Sequence, residues 1–245
     1  MTTLTIEKQY NGPPDSGNGG YVAGRLAEAA LRAAGQPAFG PGVPWVEVTL
    51  RQPPPLGEAM TLSSPGHGET TASQDETVIA GARLLTEAPA AAEAVPAVPV
   101  DVAREAEGAY LGLTTHPFPT CWVCGPSRPE RDGYDLRPGL VDENRTACTW
   151  HVGSNAAEPT GEVGAAALWA ALDCPGAWTA LQGDAVIVLG RIAAQISAVP
   201  QVGDTCVVMG RLVGVDGRKS FTATTVHGPD GTVLARAMAT WIQIG

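Results

Sequence analysis

Residues 163–172, VGAAALWAAL, are apolar or small without a single charge. A helix of that composition has no polar face to offer water and must be covered on every side. Behind it come the runs VIVLGRIAAQIS, TCVVMGRLVGV, KSFTATTVHG and TVLARAMATWIQI. These read as strands, with Asp216-Gly217 and Asp230-Gly231 at tight turns between them. A further strand around TACTWHV (146–152) precedes the helix. Strand, buried helix and antiparallel meander have a simple joint solution, a sheet curved around the helix.

The first part of the chain repeats that order. Asn18-Gly19-Gly20 leads into YVAGRLAEAALRAAG, where Val22, Leu26, Ala29, Ala30 and Ala33 fall at helical spacing and Gly35 supplies a stop. Strand-like runs follow at WVEVTLR (45–51), AMTLSS (59–64) and TVIAGARLL (77–85). Pro55-Leu56-Gly57-Glu58 and Pro200-Gln201-Val202-Gly203-Asp204 each introduce a strand through a proline, an apolar residue and a Gly-acid pair. Gly57 and Gly203 lie 146 residues apart, close to the 144 between Gly20 and Gly164 at the helix starts. Two matches at nearly one offset point to an internal duplication. Residues 87–109, rich in Ala, Pro and Glu, read as a connection between the halves 1–86 and 110–245, partly extended at its prolines and outside the sheet.

Composition removes other classes. With 44% hydrophobic and 16% charged residues the chain is not disordered, and 30 glycines with 21 prolines favour short elements joined by turns. A net charge of −10 with no Lys/Arg cluster argues against binding a phosphate backbone, so no nucleic-acid partner is expected. No stretch reaches the ~18 apolar residues of a membrane span, and MTTLTIEKQYNGPP lacks a signal-peptide core. Five cysteines, an odd number, read as reduced thiols in a cytoplasmic protein rather than as a disulfide framework.

Three motifs carry a resemblance. Asn18-Gly19-Gly20-Tyr21 resembles the glycine-rich entry to the first helix of fused, two-hot-dog thioesterases. Cys121-Trp122-Val123-Cys124-Gly125-Pro126, with Gly133-Tyr134-Asp135-Leu136, is similar to the opening of small thioesterases of the phenylacetate-pathway type. Leu172-Asp173-Cys174-Pro175-Gly176 resembles the segment that carries a catalytic aspartate in fused acyl-CoA thioesterases. The resemblance implies an α+β double hot-dog, with two antiparallel sheets that each wrap a long central helix as a pseudo-dimer. It also implies hydrolysis of an acyl-CoA or related acyl thioester to free acid and thiol. The threonine and glutamine that accompany the aspartate in that family have no clear match, since Gly190 or Arg191 and Ala239 or Thr240 fall there. Gln195, Thr222, Thr224 and Thr225 are the substitutes at hand.

Asp173 is then the expected base or nucleophile, because thioester hydrolysis needs a group that attacks the carbonyl or activates water. The Gly19, Gly20 and Tyr21 amides beside Asn18 are expected to hold the developing oxyanion. Glu28 takes nearly the place in the first helix that Asp173 takes in the second. Trp169 and Trp178 flank Asp173 and are possible walls of an acyl pocket, as is Gln195. A metal set Cys121, Cys124, Cys148 and His151 can be written down, but positions three apart on a strand face opposite ways, so no metal and no other cofactor is expected. His67, His116 and His227 read as surface residues. The alternatives are an acyl-binding protein without turnover and a hydratase or dehydratase on the same fold. A monomer and a homodimer are both compatible with these features.

Overall fold

The computed structural model describes residues 2–66, 68–129, 132–181 and 185–244, so His67 lies outside the described residues. One antiparallel sheet of eleven strands forms the body of the protein. Its first part holds β1 (Thr2–Thr5), β2 (Val46–Leu50), β3 (Ala59–Gly66), β4 (Glu69–Gln74) and β5 (Thr77–Leu84). Its second part holds β6 (Gly139–Leu140), β7 (Arg145–His151), β8 (Ile187–Ile196), β9 (Thr205–Asp216), β10 (Lys219–His227) and β11 (Val233–Gln243). The spatial order is β1-β3-β4-β5-β2-β8-β11-β10-β9-β7-β6. Outward from the β2–β8 contact, the order of connection is the same on both sides as far as β1 and β7.

The expectation of two separate sheets is corrected here. β2 and β8 pair edge to edge, with Val46 opposite Ala194 and Val48 opposite Ile192, and so fuse the half-sheets into one. Each half on its own would end in an unpaired strand of amides and carbonyls, and the join satisfies both rows.

The helices are also unequal. α1 (Gly19–Ala33) is continuous, capped by the Asn18 side chain, which accepts a hydrogen bond from the Tyr21 amide. The second helix, expected over 161–173, is the shorter α3 (Ala165–Ala171), and a further helix, α4 (Cys174–Ala180), follows it at an angle; α2 (Val100–Ala106) lies in the connecting segment. The physical reason is Pro175, whose ring would clash with the Ala171 carbonyl in an unbroken helix. α3 is buried at every position, as its lack of a polar face requires. It runs antiparallel to α1: Gly20 meets Trp169, Ala170 and Asp173, while Gly24 meets Ala166 and Trp169. A Cβ at Gly20 would stand 2.5 Å from the Trp169 carbonyl oxygen, so only glycine permits this approach.

Residues 87–109 cross the outer face of the sheet. Val95 is fully buried there, its amide donating to Thr225 Oγ1 and its carbonyl contacting His227 Nε2 at 2.9 Å. Val95 and Ala103 pack with Ala147, Val207, Met209 and Ala223, the residues of β7, β9 and β10 that face away from the helices. His227 is therefore a buried anchor and not a surface residue. Among the described residues, no helix is long and apolar enough to cross a membrane.

Candidate active site

The start of α1 and the break after α3 meet at one carboxylate. Gly20 N and Asn18 Nδ2 both donate to Asp173 Oδ2, each at 2.9 Å. Asp173 is 3% exposed, and its other oxygen, Oδ1, is buried with no hydrogen-bond partner among the described residues. Burial pushes this carboxyl up to about 7, against the opposing hydrogen bonds from Gly20 and Asn18.

Asp173 forms part of the wall of a cavity of about 610 Å³. The apolar lining comes from Leu50 on β2, Ile187 and Leu189 on β8, Trp178 on α4 and Trp241 on β11. Asn18 and Gly19 supply the polar edge beside Asp173, with Cys121, Cys124, Cys174 and His116 on the same wall. A mostly apolar cleft of this size with a few convergent polar groups has the form of a small-molecule site. It sits where β2 meets β8, so the fusion of the half-sheets is what builds it.

The residues expected from sequence divide in two. Asn18, Gly19, Asp173 and Trp178 reach the cavity. Gly20 belongs to the same hydrogen-bonded unit, but its amide is spent on Asp173 rather than left for an oxyanion. The Tyr21 amide is spent on Asn18, and the Tyr21 ring stacks on Tyr10 at 4.1 Å. Gly19, the first residue of α1, is the one whose amide has no acceptor among the described residues. Trp169 packs against Gly24 of α1 and does not line the cavity.

Gln195 is bonded to the Val43 carbonyl and to Arg236, away from the cavity. Of the threonines, Thr222 accepts from Trp241 Nε1 and Thr225 from the Val95 amide, while Thr224 Oγ1 is buried beneath Gly176 of α4 with no partner among the described residues. Glu28 lies at the opposite end of the helix pair, where its Oε1 accepts from Ala166 N at 3.0 Å. Arg25 Nε stands 3.5 Å from its other oxygen and Arg25 also pairs with Glu158. Burial raises the Glu28 carboxyl, with Arg25 opposing.

Cys174, which sequence spacing did not connect to Cys121 and Cys124, converges with that pair beside Asp173. Cys121, Cys124 and Cys174 are buried, and Cys121 Sγ lies 3.9 Å from Cys174 Sγ. The thiols of Cys124 and Cys174, then the Cys124 and Val123 amides, hold Cys121 well below the usual thiol range despite its burial. His116 Nε2 lies 3.4 Å from Cys124 Sγ, and the ring packs edge-on against Trp178 at 5.1 Å. His116 is thus half-buried at the cavity and not a simple surface residue. Cys148 and His151, the partners expected from spacing, lie on β7, with Cys148 buried and His151 exposed.

No family model matches the chain, and no curated protein matches it. Solved structures do. A conserved protein of unknown function with a hot-dog fold from Alicyclobacillus acidocaldarius is 16% identical, covering 99% of this chain and 92% of its own, with a TM-score of 0.65. The tesB protein of Mycobacterium avium subspecies paratuberculosis is 14% identical over 99% of this chain and 92% of its own, TM-score 0.65. The acyl-CoA thioesterase II TesB2 of Mycobacterium marinum is 12% identical at the same coverages, TM-score 0.60. Identities this low speak to architecture alone, and on that ground the chain is an α+β protein of the hot-dog fold over nearly its whole length.

Proposed function

We propose that this protein hydrolyses an acyl thioester, an acyl-CoA being the favoured substrate, to free acid and thiol. The observation that carries the reading is a buried carboxylate fixed by a helix-start amide at the wall of an apolar cavity. Asp173 Oδ2 is pinned by Gly20 and Asn18, which sets the orientation of the group, while Oδ1 has no partner among the described residues. In this mechanism Asp173 takes a proton from water as that water attacks the thioester carbonyl, or attacks the carbonyl itself. The Gly19 amide is the donor left for the oxyanion, in place of the set of three expected from sequence. Leu50, Leu189, Ile187, Trp178 and Trp241 would cover the acyl chain.

The thioesterase names of the tesB protein and TesB2 support this reaction class. The same reading takes residues 1–86 and 110–245 as duplicated hot-dog units joined by 87–109, in a cytoplasmic protein whose five cysteines are reduced.

One observation favours a second reading. Two donors of the helix start are spent on Asp173, and among the described residues no threonine or glutamine joins it, which suits a protein that holds an acyl thioester without turning it over. Thiol release from acyl-CoAs of graded chain length separates the two. Hydrolysis predicts turnover by wild type that collapses in Asp173→Asn. Saturable binding of a non-hydrolysable CoA thioether without any thiol release would leave the binding reading.

A further inference from the structure

We infer that Cys121, Cys124 and Cys174, with the neighbouring His116 drawn in as a fourth ligand, form a binding site for one thiophilic divalent cation of the zinc type. The argument is independent of hydrolysis and stands on the shape of the cluster. The three Sγ atoms all lie within 4.8 Å of one another. For metal–sulfur bonds of about 2.3 Å, neighbouring corners of a tetrahedron are about 3.8 Å apart, and a sulfur–nitrogen edge is about 3.5 Å. The Cys121–Cys174 separation is 3.9 Å and the Cys124–His116 Nε2 separation is 3.4 Å. The first matches an edge of that tetrahedron; His116 Nε2 stands at edge distance from Cys124 alone and must close on the other two sulfurs as the ion binds.

The turn that presents two of the ligands is tightly built. Cys121 and Cys124 flank a tight bend closed by Gly125 N donating to the Cys121 carbonyl at 2.8 Å. A Cβ at Gly125 would stand 2.5 Å from Cys121 N and from the Pro119 carbonyl oxygen, so this turn requires glycine. Cys174 arrives from a distant part of the chain, at the helix break. Cys148 and Cys206 show the contrast: both are buried, and neither joins the cluster. Thiols that serve only as small apolar fillers have no need to converge with an imidazole.

His116 defines what loading requires. Its Nδ1 accepts from the Phe118 amide at 2.9 Å, so the ring proton stands on Nε2 and faces Cys124. Coordination through Nε2 moves that proton to Nδ1 and gives up the Phe118 contact, with the ring staying neutral. Each thiol still protonated releases its proton to solvent. A donor set of three thiolates and one imidazole in tetrahedral array selects zinc over hard cations. The ion would clasp the 116–125 loop to the residue after Asp173.

The test is cobalt and zinc titration of reduced, chelator-treated wild-type protein. The expected result is one cobalt per chain, a thiolate-to-cobalt charge-transfer band, tetrahedral visible bands, and displacement of cobalt by equimolar zinc. Cys174→Ala should weaken zinc binding by about 100-fold or more. His116→Ala should keep the charge-transfer band, alter the visible bands and weaken binding by at least about 10-fold. Cys148→Ala should change nothing. X-ray absorption of zinc-loaded wild type needs no variant and should count three sulfur neighbours and one nitrogen. Absence of a stoichiometric cobalt complex, fewer than three sulfurs on zinc, or a Cys174→Ala protein that binds as tightly as wild type would overturn the site.

Discussion

The contact between α1 and α3 leaves no room for a methyl group, and substitution of its two glycines tests the geometry on which the site depends. An alanine Cβ at Gly20 would lie 2.5 Å from the Trp169 carbonyl oxygen, 2.6 Å from Asp173 Cβ and 3.1 Å from Ala170 Cα. Ordinary carbon contacts need about 3.5–4.0 Å, so α3 must retreat by roughly 1 Å. Overpacking of this kind costs about 1–3 kcal/mol. The better helix propensity of alanine returns at most about 1 kcal/mol. Retreat also stretches the Gly20 N–H bond to Asp173, and loss of a hydrogen bond to a buried charged group adds about 1.5–3 kcal/mol. Gly20→Ala should therefore lose about 1.5–5 kcal/mol. At Gly24 the new Cβ would meet Trp169 Cβ at 2.7 Å and Ala166 Cα at 2.8 Å, with no carboxylate involved. Gly24→Ala should lose only the steric part, about 1–2 kcal/mol after the propensity gain. Urea unfolding with equal m-values measures both, and thiol release measures the site: Gly20→Ala should impair turnover far more than Gly24→Ala. A Gly20→Ala protein as stable as wild type, or more stable, would refute the close helix contact.

Asp173→Asn should reduce turnover by about 10²–10⁴-fold with the fold retained, as judged by initial rates and circular dichroism. The carboxyl rises from 3.8 to about 7 on folding, so burial costs nothing below pH 3.8 and grows to about 4 kcal/mol as pH rises through 7. In chelator-treated protein the Asn variant should gain stability relative to wild type across that window, and parallel urea midpoints at pH 5 and pH 8 would contradict this. Glu28→Gln should leave thiol release unchanged, and a loss comparable with that of Asp173→Asn would reassign the base. Trp178→Leu should shift the preferred acyl-CoA to longer chains, read from rates across a chain-length series, by opening the cavity wall. Thr146→Val should cost about 1–3 kcal/mol in urea, since Thr146 Oγ1 donates to the Pro175 carbonyl at 2.8 Å and its loss leaves a buried acceptor unpaired.

The parts of the fold that were legible in the sequence are those fixed by local rules. The charge-free run at 163–172 announced a buried helix, and α3 is buried throughout. Asp216-Gly217 announced the β9–β10 turn, where Gly217 takes a φ of 57°. β4 was missed because ETTASQ offers no strong apolar alternation, with Thr70 and Ala72 its two buried residues. The pairing of β2 with β8 was also hidden, since nothing local says which strand a sheet edge will meet. Asp173 stood out as the one charge at the end of an apolar helix, and Asn18 and Gly20 as a helix entry. That the entry donates to Asp173 rather than to substrate depends on the helix spacing that Gly20 and Gly24 permit, which no window of sequence contains. The cysteine cluster is non-local in the same way, because Cys121 and Cys174 are 53 residues apart.

The two helices make the same contact twice, and only one copy became a site. Gly20 N at the start of α1 donates to Asp173 past the end of α3, and Ala166 N at the start of α3 donates to Glu28 on α1. Gly20 and Ala166 are 146 residues apart, the offset between Gly57 and Gly203. The reciprocity is what two antiparallel helices in related units produce. The surroundings then separate the copies. Glu28 has Arg25 at 3.5 Å and Glu158 beyond it, so its charge is neutralised by a fixed cation. Asp173 has no cation in hydrogen-bond or ion-pair contact among the described residues, and it stands at the cavity wall instead. A carboxylate locked to arginine holds the helices together, whereas one held only by neutral donors keeps an oxygen available for chemistry. The second helix completes the asymmetry: Pro175 ends α3 just before Asp173 and turns α4 aside, which brings Cys174 and Trp178 to the cavity where a continuous helix would have carried them past it.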